Sequence, residues 1–526
     1  MEPSQAPNTA KGTGPNNTRR RHQRVADAVS LLVALDAGSG VPLHRQIYES
    51  LRADMLTGRL AAGARLPSTR VLASELGVAR NTVVLAFDQL FAEGYLSTRR
   101  GGGTRVRAGI PDTMMNVHAT RFVPAERAHR SVRPAAPRLP SRWTRALADL
   151  RGWGAHRDAE PVPFALGVPA IDAFPAALWA RLTARRWRSG GVFLGHAAAA
   201  GDRTLRGAIA EYVTSARGAR CGPHQVLIVS GAQQALDLVA RVLVDPGDPV
   251  WMEDPGYLGA RAAFVAAGAR VVPIPVDDEG MNVAHAERTA KSARLAYVTP
   301  SHQFPLGIIM SAARRLALLT WAHRVGGWIL EDDYDSEFRY AGRPIPCLQG
   351  LDAERATASR VLYVGTFSKT LSPALRLGYL IVPDDLVDTF RGARAVSGGH
   401  SPTVDQSVLA DFIGEGHYVR HVRRVRALCA ERQGALVRCV ERELAGAIEL
   451  APDAAGLHMV GWLPGRASGA AAAHAAQQRG VDATPLSRYS AARPRRDALL
   501  LGYAAFDERA IRTGARGLAR SLGSRR

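Results

Sequence analysis

From about Pro161 onward, short apolar runs alternate with helix-length stretches, and this alternation limits the fold more than any other feature of the chain. The runs are Val226–Val229, Val250–Trp251, Val271–Ile274, Leu295–Val298, Trp328–Leu330, Val361–Val364 and Gly378–Val382. Strands separated by helices predict an α/β domain built on a mostly parallel sheet. Sites in such sheets lie beyond the carboxyl ends of the strands. The residues just after each run are therefore where chemistry should be sought. No internal repeat of fixed period is present.

The whole chain is 526 residues, too long for one ordinary domain; about two to four are expected. An apolar content of 46% is enough for buried cores. Cys221, Cys347, Cys429 and Cys439 lie far apart with no CxxC pair. That spacing argues against a disulfide framework or a structural zinc, and no metal is expected. No apolar run reaches about 18 residues, so no membrane span is expected. No apolar stretch follows the basic N-terminal cluster, so a secretory signal is not expected and a cytoplasmic location is. The formal charge of +21 makes a polyanionic partner plausible without proving one.

Ahead of the α/β region the pattern tightens over residues 41–107. Leu43, Ile47, Leu51 and Met55 share one helix face, and Gly58 stops that helix. Ser68 or Thr69 can cap a short helix ending at Gly77, and a second helix runs from about Ala79 to Glu93. Two short helices around a glycine turn are a helix-turn-helix signature. Tyr95 to Val106 then reads as strand, Gly101-Gly102-Gly103 turn, strand: a wing carrying Arg99, Arg100, Arg105 and Arg107. Arg70, Arg80, Asn81 and Thr82 stand at helix starts, where side chains meet base edges. The wing arginines suit phosphates or the minor groove. Ten arginines against five carboxylates give this module +5, which suits salt-sensitive binding to double-stranded DNA. Any one of these arginines could simply solvate a helix end; the constellation is more specific. Residues 1–40, with Arg19, Arg20, Arg21 and Arg24, read as a disordered basic arm or a tail without specific contacts. Residues 108–160, rich in Pro, Arg and Ala, read as a linker with one short helix near Trp143–Leu150.

The body's most informative stretch is Gly365-Thr366-Phe367-Ser368-Lys369, followed by Arg376. Lys369 after a strand can attack an aldehyde if its neighbours depress its pKa. Ser368 and Arg376 could grip a phosphate. Asp332, at the end of the Trp328 run, could face a pyridinium nitrogen. Tyr334 could donate to a ring oxygen. Gly231-Ala232-Gln233 opens a helix after the Val226 run, a ready phosphate cradle. Tyr257 could stack on a flat ring. A lone lysine is usually surface, an acidic run usually a solvated loop, and a lone tyrosine usually packing. Here all four features follow strands of one sheet.

Residues 41–107 resemble the winged helix of GntR-type bacterial regulators, through Pro42-Leu43, Leu66-Pro67-Ser68-Thr69-Arg70, Leu76-Gly77-Val78-Ala79-Arg80-Asn81-Thr82 and Glu93-Gly94-Tyr95-Leu96. Ala79 stands where that family usually has Ser, which removes a cap worth about 1 kcal/mol. Residues 161–526 resemble the fold-type I aminotransferases, with large and small subdomains, through Thr299 to Gly307, Glu331 to Tyr340 and Gly365 to Tyr379. Together the chain resembles MocR-type regulators, PdxR-like and GabR-like proteins among them. The resemblance implies pyridoxal 5′-phosphate (PLP) in Schiff-base linkage to Lys369, with Asp332 at the pyridine nitrogen and Tyr334 at the ring hydroxyl. It implies Tyr257 over the ring, Ala232, Gln233, Ser368 and Arg376 on the phosphate, and His302 or Gln303 near the ring. It also implies a homodimer, and control of vitamin B6 or of amine and amino-acid genes, in response to PLP or an amine effector. Leu500 stands where relatives often bind a substrate carboxylate with Arg; Arg495 and Arg496 would have to reach over. Phe193-Leu194-Gly195 replaces a Tyr that reaches across the dimer. Both departures count against turnover, so a regulator is expected over an aminotransferase with an attached DNA module, or over a DNA-binding protein with a mere scaffold.

Overall fold

The computed structural model describes residues 33–36, 38–99, 103–108, 144, 160–190, 195, 197–342, 345–355, 358–450, 453–492, 494 and 496–523. They fall into two compact units, a head within Met1–Ala135 and a body within Ala136–Arg526.

In the head, α1 (Leu43–Leu56) buries Ile47, Leu51 and Met55, the apolar face read from the sequence. α2 (Thr69–Glu75) is capped by Ser68, whose Oγ accepts from Val71 N at 3.3 Å. Gly77, at φ 67°, turns the chain into α3 (Arg80–Ala92). Ala79 gives α3 no side-chain cap. α3 buries Val83, Ala86, Phe87 and Leu90 against α1 and α2. β1 (Leu96–Arg99) pairs antiparallel with β2 (Gly103–Val106). Within the stretch expected as an arm, Val33 and Leu35 pack on this core, and Gln46 bonds the Asp36 backbone. Nearly all of 108–160, including the short helix expected near Trp143, lies outside the described residues.

In the body, β3 (Val226–Val229), β4 (Pro249–Asp254), β5 (Arg270–Asp277), β6 (Gly280–Met281), β7 (Leu295–Val298), β8 (Trp328–Asp333), β9 (Val361–Thr366) and β10 (Gly378–Ile381) form one sheet. Their order is β3-β10-β9-β8-β7-β4-β5-β6. β9, β8, β7, β4 and β5 run parallel; β10 and β6 run antiparallel to their neighbours. The sheet is thus mixed rather than uniformly parallel. Its central strands are buried on both faces, which is why they read as unbroken apolar runs. This sheet and its helices make the large subdomain. The small subdomain is a three-stranded antiparallel sheet of β11 (His458–Trp462), β12 (Thr484–Pro485) and β13 (Ala498–Gly502). Two helices, His417–Glu443 and Glu508–Ser521, pack beside it. All four cysteines are free. Among the described residues no helix is long and apolar enough to cross a membrane, and no cluster of metal-ligating side chains occurs.

Candidate functional site

The parallel strands β4, β7, β8 and β9 deliver their last residues to one edge of the sheet, and each run ends in polar side chains there. Alternation along β8 sends consecutive acids to opposite faces. Asp332 Oδ2 accepts from Tyr297 Oη on β7 at 2.8 Å. Its Oδ1 is buried with no hydrogen-bond partner. Burial pushes this carboxyl up to about 7, assisted by Asp333 and Asp335 and opposed by Tyr297 and Lys369. Asp333 faces the other way. It takes Arg217 Nε at 2.7 Å and Tyr363 Oη at 2.5 Å, and Arg217 continues to Ser301 at 2.7 Å. Asp335 Oδ2 lies 2.9 Å from His302 Nδ1. The three aspartates therefore each serve different partners, and the run is neither a solvated loop nor a metal cluster.

Lys369 follows β9 and is half-buried. Burial lowers its pKa below the usual lysine value; Asp335 and Asp332 pull the other way. Its Nζ donates to the Gly167 carbonyl at 2.7 Å, and a Cβ at Gly167 would stand 3.3 Å from that nitrogen. The amine is thus held near the strand ends with its charged form disfavoured by burial, the direction of shift that favours a nucleophilic lysine.

The phosphate cradle expected at Gly231-Ala232-Gln233 is the start of the helix Ala232–Leu243, whose first amides lack intrahelical acceptors. Gly231 adopts φ 87°, and a Cβ there would meet the Arg376 guanidinium at 3.4 Å. Arg376, itself at φ 49°, donates from Nη2 to the Ser230 carbonyl at 2.6 Å. Ser368 lies nearby in the loop after β9, its N–H on Thr366 Oγ1 at 3.1 Å. The Gln233 side chain does not serve the cradle: its Nε2 donates to Gly259 O at 2.9 Å, leaving its backbone amide for an anion. Tyr257 precedes the helix Leu258–Ala266 and meets Phe304 edge-on, centroids 5.7 Å apart.

Of the pair His302 and Gln303, the structure puts His302 beside Tyr334, Nδ1 to Oη 3.1 Å. Gln303 is used up locally, its Nε2 donating to Pro255 O at 2.9 Å and Phe304 O at 2.6 Å. Leu500 sits fully buried in β13 among Leu166, Leu306, Trp462 and Tyr489. Arg496 does not reach over; it binds Leu463 O and Glu449 and lies over Trp462 at 5.5 Å. Arg495, Phe193 and Leu194 lie outside the described residues. Sequence reasoning passed over Tyr297, Gly167, Asp335 and Asp453. Tyr297 interrupts an otherwise aliphatic run opposite β8, a usable signal; Gly167 and Asp453 carry none.

On the head, Arg70, Arg80 and Asn81 are exposed, and Arg80 and Asn81 open α3 with Thr82 half-buried behind them. Arg105 is exposed but committed, donating from Nη1 to Gly63 O at 2.8 Å. Arg100 and the Arg99 side chain lie outside the described residues.

Comparison with known proteins places both units. The family described as aminotransferase class I and II matches residues 168–514, and the gntR family of bacterial regulatory proteins matches residues 43–106. The probable rhizopine catabolism regulatory protein MocR of Rhizobium meliloti is 43% identical, over 93% of this chain and 95% of its own. The pyridoxine biosynthesis transcriptional regulator PdxR of Corynebacterium glutamicum is 31% identical, over 92% of this chain and 96% of its own. The Thermus thermophilus α-aminoadipate aminotransferase LysN, solved with N-(5′-phosphopyridoxyl)-L-leucine, matches with TM-score 0.63 and 31% identity over 68% of this chain and 91% of its own. The chain belongs to the class I and II aminotransferase family through its body and to the gntR family through its head. That pairing makes it a helix-turn-helix transcriptional regulator of the MocR type with a PLP-dependent fold. The orphaned Asp332 oxygen, the depressed Lys369 amine and the glycine-opened helix start fit such a cofactor. Asp332 would face its ring nitrogen, and the Ala232 and Gln233 amides with Ser368 and Arg376 its phosphate.

Proposed function

We propose that the body binds PLP through Lys369, and that cofactor or amine occupancy there governs operator binding by the head. The observation carrying this reading is the buried Asp332 Oδ1 with no partner, beside a lysine whose amine is depressed. A buried acceptor left bare costs about 1–3 kcal/mol, which a protonated ring nitrogen would recover. When bound, the cofactor supplies an aldehyde that the lysine nitrogen can capture, water leaving with the aldehyde oxygen. Tyr334 then holds the ring hydroxyl, Tyr257 covers the ring, and His302 stands behind Tyr334. Arg70, Arg80, Asn81, Thr82, Arg99 and Arg105 serve double-stranded DNA. The controlled genes belong to vitamin B6 or to amine and amino-acid metabolism, as the names of MocR and PdxR suggest. The working unit is a cytoplasmic homodimer.

The test is spectroscopic. Purified protein reconstituted with PLP should show a visible band that Lys369→Ala abolishes; an unchanged spectrum in the variant removes Lys369 from this role. A second reading, an aminotransferase carrying a DNA module, draws on the 32% identity to the Thermus thermophilus 2-aminoadipate transaminase. Leu500 in an apolar cluster and Arg496 bound elsewhere weigh against it. Turnover of an amino donor and keto acid at about 1 per second or faster would restore it.

A further inference from the structure

His302 is 2% exposed, yet both its ring nitrogens face carboxylates: Nδ1 to Asp335 at 2.9 Å and Nε2 to Asp453 at 3.1 Å. Nδ1 also lies 3.1 Å from the Tyr334 hydroxyl. An imidazole with an acceptor on each nitrogen satisfies both only when both carry protons. Burial works against that charge, but Asp335 and then Asp453 outweigh it, and the group is raised to about 10. A second imidazole, His458 on β11, lies with its centroid 6.0 Å away, and its pKa is lowered by burial first and by His302 second. His458 bonds the Pro305 carbonyl instead, at 2.9 Å.

The two carboxylates belong to different subdomains. Asp335 follows β8 at the strand ends. Asp453 precedes β11, and its carbonyl accepts from Gln433 Nε2 on the long helix His417–Glu443 at 2.9 Å. The surroundings leave room for little else. A Cβ at Gly456 would overlap the imidazole, and one at Gly307 the Asp453 carboxylate.

We infer that His302 is a cationic clasp: a positioning residue that fixes the Tyr334 hydroxyl on one side and seats the 453–456 segment of the small subdomain on the other. Through it, a change at Tyr334 reaches the small subdomain without passing through the sheet. The inference rests on the proposed cofactor reading only for what touches Tyr334; the clasp exists in the protein alone.

Histidine hydrogen–deuterium exchange read by mass spectrometry tests it on the full chain, first without cofactor. The tryptic peptide Leu295–Arg314 holds His302 as its only histidine. The pH midpoint of exchange at its Cε1–H should lie above pH 8, against about 6.5 for a free histidine. Asp453→Asn, a conservative change at a partly exposed side chain, should lower that midpoint by at least about one unit, a tenfold change in proton affinity. It should also speed amide exchange in 453–456 and shift the pH midpoint of the visible band in the reconstituted protein. A wild-type midpoint near 6.5, or an Asp453→Asn protein in which neither the His302 midpoint nor the 453–456 amides move, overturns the clasp. A wild type lacking the visible band while His302 stays charged overturns the cofactor reading and leaves the clasp standing.

Discussion

Asp332 enters the folded state with one buried carboxyl oxygen that accepts no hydrogen bond, and this has a measurable consequence before any ligand binds. Its folded pKa, about 7, exceeds the usual aspartate value near 4. Ionisation is therefore harder in the folded than in the unfolded chain. The cost is absent below about pH 4, grows toward pH 7 and stays constant above. Asp332→Asn should stabilise the cofactor-free body at pH 8, by at least about 1 kcal/mol, and do almost nothing at pH 4. Paired thermal melts at the two pH values check this; equal shifts at both would mean the carboxyl ionises freely. Gly231 makes a second residue-scale prediction. Its φ of 87° and the guanidinium 3.4 Å from a built Cβ leave an alanine strained. Gly231→Ala should weaken PLP binding about tenfold or more, from backbone strain of about 1–3 kcal/mol, and affect unphosphorylated pyridoxal less. Equal losses for both ligands would detach this turn from the phosphate. The sequence already exposed Lys369, Asp332 and the glycine turn, because each follows an apolar run. It could not expose what completes them. Tyr297, Gly167 and Asp453 arrive from 35, 202 and 151 positions away from their partners, distances that only folding closes.

Among elements, α3 begins and ends within one residue of its expected bounds, and its stability can be simply altered. Ala79 offers no oxygen to the first-turn amides. Ala79→Ser should stabilise the head by about 1 kcal/mol, visible as a raised melting transition of the full chain's head with the body's unchanged. Arg80→Ala should cost about 1–3 kcal/mol of specific operator affinity and leave the visible band alone; unaltered binding in a gel shift would show that α3 does not read bases. The strands were legible as elements but not as a sheet. Apolar runs buried on both faces carry no mark of direction, so antiparallel β10 and the edge strand β6 are set by connections, not by composition. The small sheet was nearly silent, since its strand β12 is two residues long.

For the molecule as a whole, the charge of +21 belongs to the full chain, whereas the head's share is +5. If the head alone grips phosphates, operator affinity should fall with salt at a slope matching a handful of contacts, about −0.9 per phosphate. A slope several times steeper would bring the remaining basic surface, or the arginines before residue 25, into the complex. The two-part organisation was legible because its halves obey different periodicities, helix spacing and glycine turns before residue 108 and strand–helix alternation after 160. How one half informs the other was not legible at all.

One contact bears on that question. The Lys369 amine is moored to the carbonyl of residue 167, only a few positions past the start of the body. Just upstream, Phe164 is fully buried with the unusual φ of 72° and bridges to Gly502. Capture of an aldehyde there would send both amine hydrogens out with water and leave at most one proton on the nitrogen, so its hold on that oxygen would weaken. The segment around Gly167 would then be held less firmly once the lysine changes partner, three residues after the positive φ of Phe164.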